Sequence, residues 1–229
     1  MSATVKGISS MATRAILADL VAAFARAGKG EVAIESIGGV DAAKRVRAGE
    51  AFDVVLLAED ALAKLEAEGH LVAGSRVGFT LSSLAVAIRA GAARPDFSDE
   101  AAVREAVRTA ASIGYSTGPS GNHLLGLLKR WGIDEEVAPR LVQAPPGIPV
   151  GTLVGRGDAA LGFQQLSELI GVPGTEIADA LPASVGHVTP FCGAIATTAA
   201  NREGAAAFLA FLASPETAAV KRRHGMEPG

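Results

Sequence analysis

Three observations on the sequence predict an α/β fold built as two lobes. Short apolar runs alternate with longer Ala-rich amphipathic stretches, which is the pattern of βαβ units around a mostly parallel sheet. The 229 residues suffice for two lobes that each bury a core. No low-complexity linker separates independent domains, so we expect the two lobes to share the chain in an intertwined order.

The N-terminal third of the chain is predicted to contain three β–α units. Ile16, Leu20 and Phe24 recur at helical spacing in the first predicted helix, and glycines follow it. In order, the predicted elements are strand 5–8, helix 13–27, strand 31–37, helix 41–47, strand 52–58 and helix 60–68.

The rest of the chain repeats this alternation. The predicted elements are strand 81–89, helix 99–110, strand 112–115, helix 122–131, helix 150–156, strand 160–163, strand 186–196, helix 202–213 and a short helix over 215–223. We expect lobe 1 to comprise residues 1–80 plus 191–229, and lobe 2 to comprise 83–186. A two-strand hinge is expected near 80–84 and 187–193, with the ligand in the cleft between the lobes.

Composition and charge exclude several classes of function. The 21 basic and 24 acidic residues are interspersed and form no basic stripe, so we expect no nucleic-acid partner. The lone Cys192 excludes an internal disulfide, and no spacing among the four histidines predicts a metal site. The sequence carries no P-loop, dinucleotide fingerprint or Ser-His-Asp order, so we expect no cofactor and neither kinase nor dehydrogenase activity.

The first residues of the sequence allow an expectation about the cellular compartment of the protein. Residues 1–7 contain no basic segment followed by an apolar run, and no stretch has the length of a membrane helix. Unless a leader has been removed, we expect a cytoplasmic protein without membrane insertion, for which a transporter partner is not expected.

Four loops between predicted strands and helices are rich in Ser, Thr and Gly. Such loops place backbone N–H groups at helix N-termini, where the helix dipole favours an anion without any charged side chain. Capping of ordinary helices by Ser and Thr is the alternative interpretation. The four loops are 9–11, 37–40, 116–122 and 147–152.

Three stretches carry a resemblance to a known family. Residues 43–54, 157–163 and 205–215 resemble the molybdate-binding family of type II periplasmic solute-binding proteins. The resemblance implies a two-lobed type II fold. It also implies an oxyanion site with hydroxyls in the first two loops, backbone amides in the third and fourth, and a tyrosine.

Carried over residue by residue, the resemblance implies a site that keeps only part of this pattern. The second loop has no hydroxyl in Gly38-Gly39-Val40, and Gln165 stands where the tyrosine is expected, so we predict weak or no binding of molybdate. The ligand-binding residues implied by the resemblance or by their loops are Ser9, Ser10, Gly38, Gly39, Thr117, Ser120, Gly121, Val150, Gly151 and Gln165.

Two further stretches, 118–121 and 163–169, resemble the branch of this superfamily that includes aconitate isomerase. That resemblance implies a planar, unsaturated carboxylate as ligand. The Gln165 amide together with nearby N–H groups offers the directional donors that a carboxylate needs.

Two functions therefore stay open. The first is a binding module that closes on a small carboxylate or oxyanion, and the second is a cytoplasmic isomerase that moves a proton along an unsaturated di- or tricarboxylate. For the second, Ser10, His123 and Glu168 are candidate proton carriers. The ordinary alternatives are an exposed histidine at a helix start for His123 and an exposed helix carboxylate for Glu168.

Overall fold

The computed structural model describes residues 3–229 as strands and helices in alternation. The first half contains β1 (Val5–Ser10), α1 (Arg14–Arg26), β2 (Val32–Ile37), α2 (Gly39–Arg47), β3 (Val54–Ala58), α3 (Glu59–Ala67), β4 (Val77–Arg89), α4 (Glu100–Thr109) and β5 (Ile113–Tyr115). The second half contains α5 (Pro119–Trp131), α6 (Asp134–Val137), β6 (Leu141–Gln143), α7 (Val150–Arg156), β7 (Leu161–Gln165), α8 (Leu166–Leu169), β8 (Thr175–Ile177), β9 (Val188–Ile195), α9 (Arg202–Ala213), α10 (Ala218–Arg223) and β10 (Met226–Pro228).

The chain divides into two compact units. The first unit consists of the described residues up to Ser82 together with Pro190–Gly229, and the second is Ser83–Thr189. The chain passes between the units twice, once within β4 and once within β9. The predicted hinge function of these two strands stays a prediction.

The sheet of the first unit is parallel at its centre. Strand β1 pairs in parallel with both β2 and β3, and β9 joins β3 in antiparallel fashion. The carboxyl ends of β1 and β2 therefore lie at the same edge, where α1 and α2 begin. Ligands of open α/β sheets bind at such edges.

Apolar side chains cover both faces of this sheet. On one face Phe24 makes edge-on contacts with Phe208 and Phe211, with ring centroids 5.3 and 5.2 Å apart. On the other face Leu57 and Leu62 belong to a second buried cluster. The sheet is thus enclosed, and its polar edge residues are held by a rigid core.

A buried carboxylate joins β1 to the start of α9. Asp53 accepts the backbone N–H of Lys6 through one oxygen, and those of Ala200 and Asn201 through the other, each at 2.8 Å. Asn201 in turn caps α9 by accepting the Gly204 N–H at 3.0 Å. These hydrogen bonds fix the position of β1 relative to the N-terminus of α9.

In the second unit, β5 lies between β6 and β7 and is parallel to both. Strand β7 pairs with β4 in antiparallel register, and β8 adds to β4 in the same sense. Because β5 and β7 are adjacent and parallel, the loop after Tyr115 and the residue Gln165 lie at one edge. Val86, Phe163 and Leu128 belong to the main buried cluster beneath this edge.

The structure confirms most of the predicted elements and changes some of their ends. Helices α7 and α9 have the predicted bounds. Helix α5 begins at Pro119, three residues earlier than predicted, because proline at the first position of a helix has no N–H to satisfy. Strand β7 extends two residues further than predicted, to Gln165.

Nothing between residues 3 and 229 forms a helix with the length and apolar character needed to cross a membrane.

We predict that Asp53→Asn lowers the free energy of unfolding by roughly 2–4 kcal/mol, because one carboxylate oxygen becomes an NH2 group that faces buried N–H donors. Urea denaturation followed by circular dichroism measures the change. Asp60→Asn, at an exposed position in α3, is the control and should stay within about 1 kcal/mol. Equal stability of the two variants would contradict the assigned role of Asp53.

Candidate functional site

In the first unit, three serine hydroxyls lie where β1 and β2 end. Ser9 and Ser36 are partners in the parallel register, and their hydroxyl oxygens lie 2.7 Å apart. Ser10 is buried, and its hydroxyl has no hydrogen-bond partner among the described residues. A buried hydroxyl without a partner is costly, so Ser10 is a group that a ligand can satisfy.

Helix α2 begins beside these hydroxyls. A Cβ placed on Gly39 would lie 3.6 Å from the Cβ of Ser10, so the first turn of α2 contacts the Ser10 side chain. Gly38 caps the helix without any side-chain hydrogen bond. Asp41 in the first turn already places a negative charge there and pairs with Lys44 at 3.2 Å. These strand ends of the first unit therefore favour hydroxyl donation over attraction of charge.

In the second unit, the N-terminus of α5 is the best anion position. Gly118 provides no capping side chain, and the first turn contains no acidic residue. The buried Ser120 hydroxyl lies 3.3 Å from that of Ser116. A Cβ on Gly121 would come within 1.7 Å of the Ser116 carbonyl oxygen, so only glycine allows the loop to pack this closely.

Gln165 supplies a buried amide at the same edge. It is 1% exposed, and its NH2 group donates to the Thr189 hydroxyl at 2.8 Å. The amide oxygen is buried without a partner. Together with Ser10 it is one of two such side-chain atoms among the described residues, and both belong to the predicted ligand-binding set.

In the fourth predicted loop, Val150 and Gly151 both contact other parts of the protein. The Val150 N–H donates to the Gln164 side-chain oxygen at 2.7 Å, so a ligand at this amide would have to displace Gln164. Gly151 packs towards Leu169 and Val172, where an added Cβ would come within 3.2 Å of both side chains. These contacts give the loop a packing role.

Glu168 is the last member of a chain of hydrogen bonds that begins at the Val150 N–H and passes through the Gln164 amide. Its carboxylate accepts from the Gln164 NH2 group at 2.8 Å and forms no ion pair with any described residue. The one charged residue on the packed elements α7 and β7 is Arg156, at the opposite end of α7. Burial without a cation raises the pKa of Glu168 to about 7. Glu168 is therefore a half-buried carboxyl group with a raised pKa, and it differs from the exposed helix carboxylate of the ordinary alternative.

His123 is held in place by its surroundings. Its Nε2 atom lies 2.9 Å from the Val185 carbonyl oxygen, and its ring stacks on His187 with centroids 4.6 Å apart. Because a carbonyl oxygen only accepts, Nε2 carries the proton, and in the neutral ring Nδ1 is the basic nitrogen.

The sequence did not predict two residues that hydrogen-bond to predicted site residues, namely Ser36 and Thr189. A third residue, Thr117, was predicted for the site but makes no such hydrogen bond among the described residues. Ser36 provides a hydroxyl directly before the second loop, and the register of β1 and β2 was the signal that could have found it. Thr189 is a buried polar residue in an apolar strand. Thr117 is exposed in the third loop, and no described hydrogen bond links it to the other site residues.

These features define the class. The chain has the two-lobed type II fold of periplasmic binding proteins, as its structural neighbours do. The molybdate-binding protein of Azotobacter vinelandii superimposes with a TM-score of 0.80 at 22% identity, covering 97% of this chain and 98% of that one. This likeness concerns the fold.

Residues 5–227 match the model of the family described as "Bacterial extracellular solute-binding protein". The chain belongs to this family. It is 38% identical over 185 residues to an aconitate isomerase from a Pseudomonas species, a match covering 80% of this chain and 70% of the relative. It is also 30% identical over 129 residues to the molybdate-binding protein ModA of A. vinelandii, covering 55% of this chain and half of the relative. The family and its anion-binding members support anion binding as the general property.

We predict that Glu168 makes stability depend on pH. Its folded pKa of about 7 lies above the ordinary 4.5, so folding favours the protonated form. The stabilisation is complete below pH 4.5 and is lost as the pH rises through 7. Between pH 4 and 8 the wild type should lose about 3 kcal/mol more than Glu168→Gln, which retains the acceptor for Gln164.

Urea titrations of both proteins at several pH values measure this difference. Parallel pH profiles for wild type and Glu168→Gln would show that Glu168 ionises like an exposed carboxylate.

Proposed function

We propose that this protein binds a small carboxylate through polar groups at the strand ends of its units. The observation that carries the proposal is the buried Gln165 amide, one end of which has no partner, at the same sheet edge as the N-terminus of α5, which has no side-chain cap. Amide and backbone N–H donors match the planar oxygens of a carboxylate. The 38% identity to an aconitate isomerase supports the same ligand class.

The absence of cationic groups from the described site residues shapes this proposal. Neither Arg nor Lys contributes a hydrogen bond to Ser10, Ser120 or Gln165. The anion is then held by hydrogen bonds and by the helix dipole of α5. Both interactions act over short distances, so they are strong only when the ligand oxygens are correctly placed. Such a site discriminates between ligand shapes more strongly than a site of bulk positive charge.

Aconitate isomerisation is the second candidate, and the half-buried Glu168, which has no ion pair, favours it. In this reaction a base removes a proton from the methylene carbon next to one carboxylate. The double bond migrates by one position, and a proton is delivered to the former vinyl carbon. The reaction consumes no co-reactant. A carboxylate with a pKa of about 7 is suited to remove and return a proton at neutral pH.

The other candidate groups take different roles in this proposal. The Ser10 hydroxyl has no base beside it among the described residues, so it donates a hydrogen bond and does not itself become a base. His123 offers Nδ1 as a second proton acceptor, since its Nε2 is held by Val185. Donors at α5 stabilise the negative charge that develops when the carbon proton leaves.

Residence in the cytoplasm, without a transporter partner, remains part of the proposal. Immunoblotting of cytoplasmic and periplasmic fractions from the native cells tests it, and recovery from the periplasm would contradict it.

We predict that cis- or trans-aconitate stabilises the protein more than molybdate does. A ligand at about 100 times its dissociation constant adds about 2.7 kcal/mol to the free energy of unfolding. A thermal-shift panel of carboxylates and oxyanions ranks the ligands, and calorimetry gives the affinities. Submicromolar binding of molybdate, with none of aconitate, would favour an oxyanion carrier.

We predict that the protein incorporates deuterium into aconitate in deuterated water, observed by NMR. Glu168→Gln should slow the exchange by about 10²–10⁴-fold if Glu168 moves the proton, and His123→Ala and Ser10→Ala should slow it as well. Glu176→Gln, an exposed carboxylate in β8, is the control and should retain the wild-type rate. Saturable binding without exchange would leave a binding protein and remove the isomerase.

A further inference from the structure

The buried amide of Gln165 can present either of two chemical groups to a ligand. In the structure its NH2 group donates to the Thr189 hydroxyl at 2.8 Å, which leaves the amide oxygen as the free end. A free oxygen accepts hydrogen bonds, so in this orientation it repels a carboxylate. Rotation of the amide by 180° exchanges the two ends and presents NH2, which a carboxylate accepts.

The Thr189 side chain makes this rotation possible without loss of the internal bond. A hydroxyl both donates and accepts, so Thr189 holds the amide oxygen as readily as it holds the NH2 group. Thr189 is 3% exposed and Gln165 is 1% exposed, so water has little access to replace either partner. Valine has nearly the same shape as threonine but lacks the hydroxyl.

We propose that Thr189 is a positioning residue that sets the polarity of the Gln165 amide, turning its NH2 group towards a bound carboxylate by donating to its oxygen. This inference rests on the proposed carboxylate binding and adds a residue to it. Thr189 touches Gln165 and acts on the ligand through it. The same pair accommodates a hydroxyl or a protonated carboxyl group in the other orientation, so it adapts to the protonation state of the ligand.

Calorimetry with trans-aconitate tests the proposal on a set of matched variants. Thr189→Val should weaken binding about tenfold or more, because the amide loses the partner that orients it. Thr189→Ser keeps the hydroxyl and should stay within about threefold of the wild type. Thr109→Val removes a hydroxyl that donates to the Glu105 carbonyl at 2.8 Å at the exposed C-terminal end of α4, and should leave binding unchanged.

A second variant, at position 165, has no NH2 group to present to the ligand in either orientation of the side chain. Gln165→Glu has the same shape but presents an oxygen at both ends, and Thr189 can donate to either. Repulsion between its carboxylate and the ligand should weaken binding of trans-aconitate about 100-fold or more. Thermal unfolding of each variant separates this loss from misfolding.

Side-chain amide NMR gives a readout that a purely structural role would not change. The NH2 signals of Gln165 are those missing from the spectrum of Gln165→Glu. In the wild type and in Thr189→Ser they should shift on saturation with trans-aconitate, since the NH2 group changes partner from Thr189 to the ligand.

The outcomes separate the two proposals. Failure of the wild type to bind any carboxylate removes the proposed function and this inference together. Binding by the wild type that is unchanged in folded Thr189→Val, or that leaves the Gln165 NH2 signals in place, overturns the inference alone.

Discussion

The cost of burying a polar group without a partner is the constraint on which this protein depends. Two enclosed cores hold the strand ends rigidly, and at those ends the structure buries the Ser10 hydroxyl and one end of the Gln165 amide without protein partners. Each such group disfavours the unliganded state by an amount comparable to a lost hydrogen bond. In the proposed function a ligand that satisfies these groups recovers this energy, so the affinity would come from polar groups that the fold leaves without partners.

Packing determines which polar groups are buried without a hydrogen-bond partner. Gly121 lets the Ser116 carbonyl approach so closely that the loop before α5 has one compact shape. Gln164 and Gln165 are neighbours in β7 and point to opposite faces, as alternation in a strand requires. Gln164 is fully engaged by Val150 and Glu168, whereas Gln165 is engaged at one end. The same residue type thus has both ends of its amide bonded within the protein at one position and one end free at the next, where we propose that it binds the ligand.

Periodicity in the sequence was sufficient for most of the fold but for only part of the site. Helix α9 has the predicted bounds because its apolar spacing is a local signal, and in the structure Asn201 caps its first turn. Ser9, Ser10 and Gln165 were placed at strand ends by motif. Thr189 could not be found in this way, since its partner is 24 residues away and the contact depends on strand pairing. The burial of Glu168 is likewise a property of packing, which alternation of polar and apolar residues does not reveal.

Glu168 raises the question of how an anion site tolerates a carboxyl group nearby. Glu168 contacts Gln164, and Gln165 points to the opposite face of β7, so the strand lies between Glu168 and a carboxylate at the Gln165 amide. Repulsion between two charges still acts across such a separation where the dielectric constant is low. Burial raises its pKa to about 7 and so keeps a large fraction neutral at physiological pH. A neutral carboxyl group adds no repulsion. In the proposed isomerisation, the ionised fraction of Glu168 would remove a proton and the neutral fraction would return one, so the same raised pKa would serve both the proposed binding and the proposed proton shift.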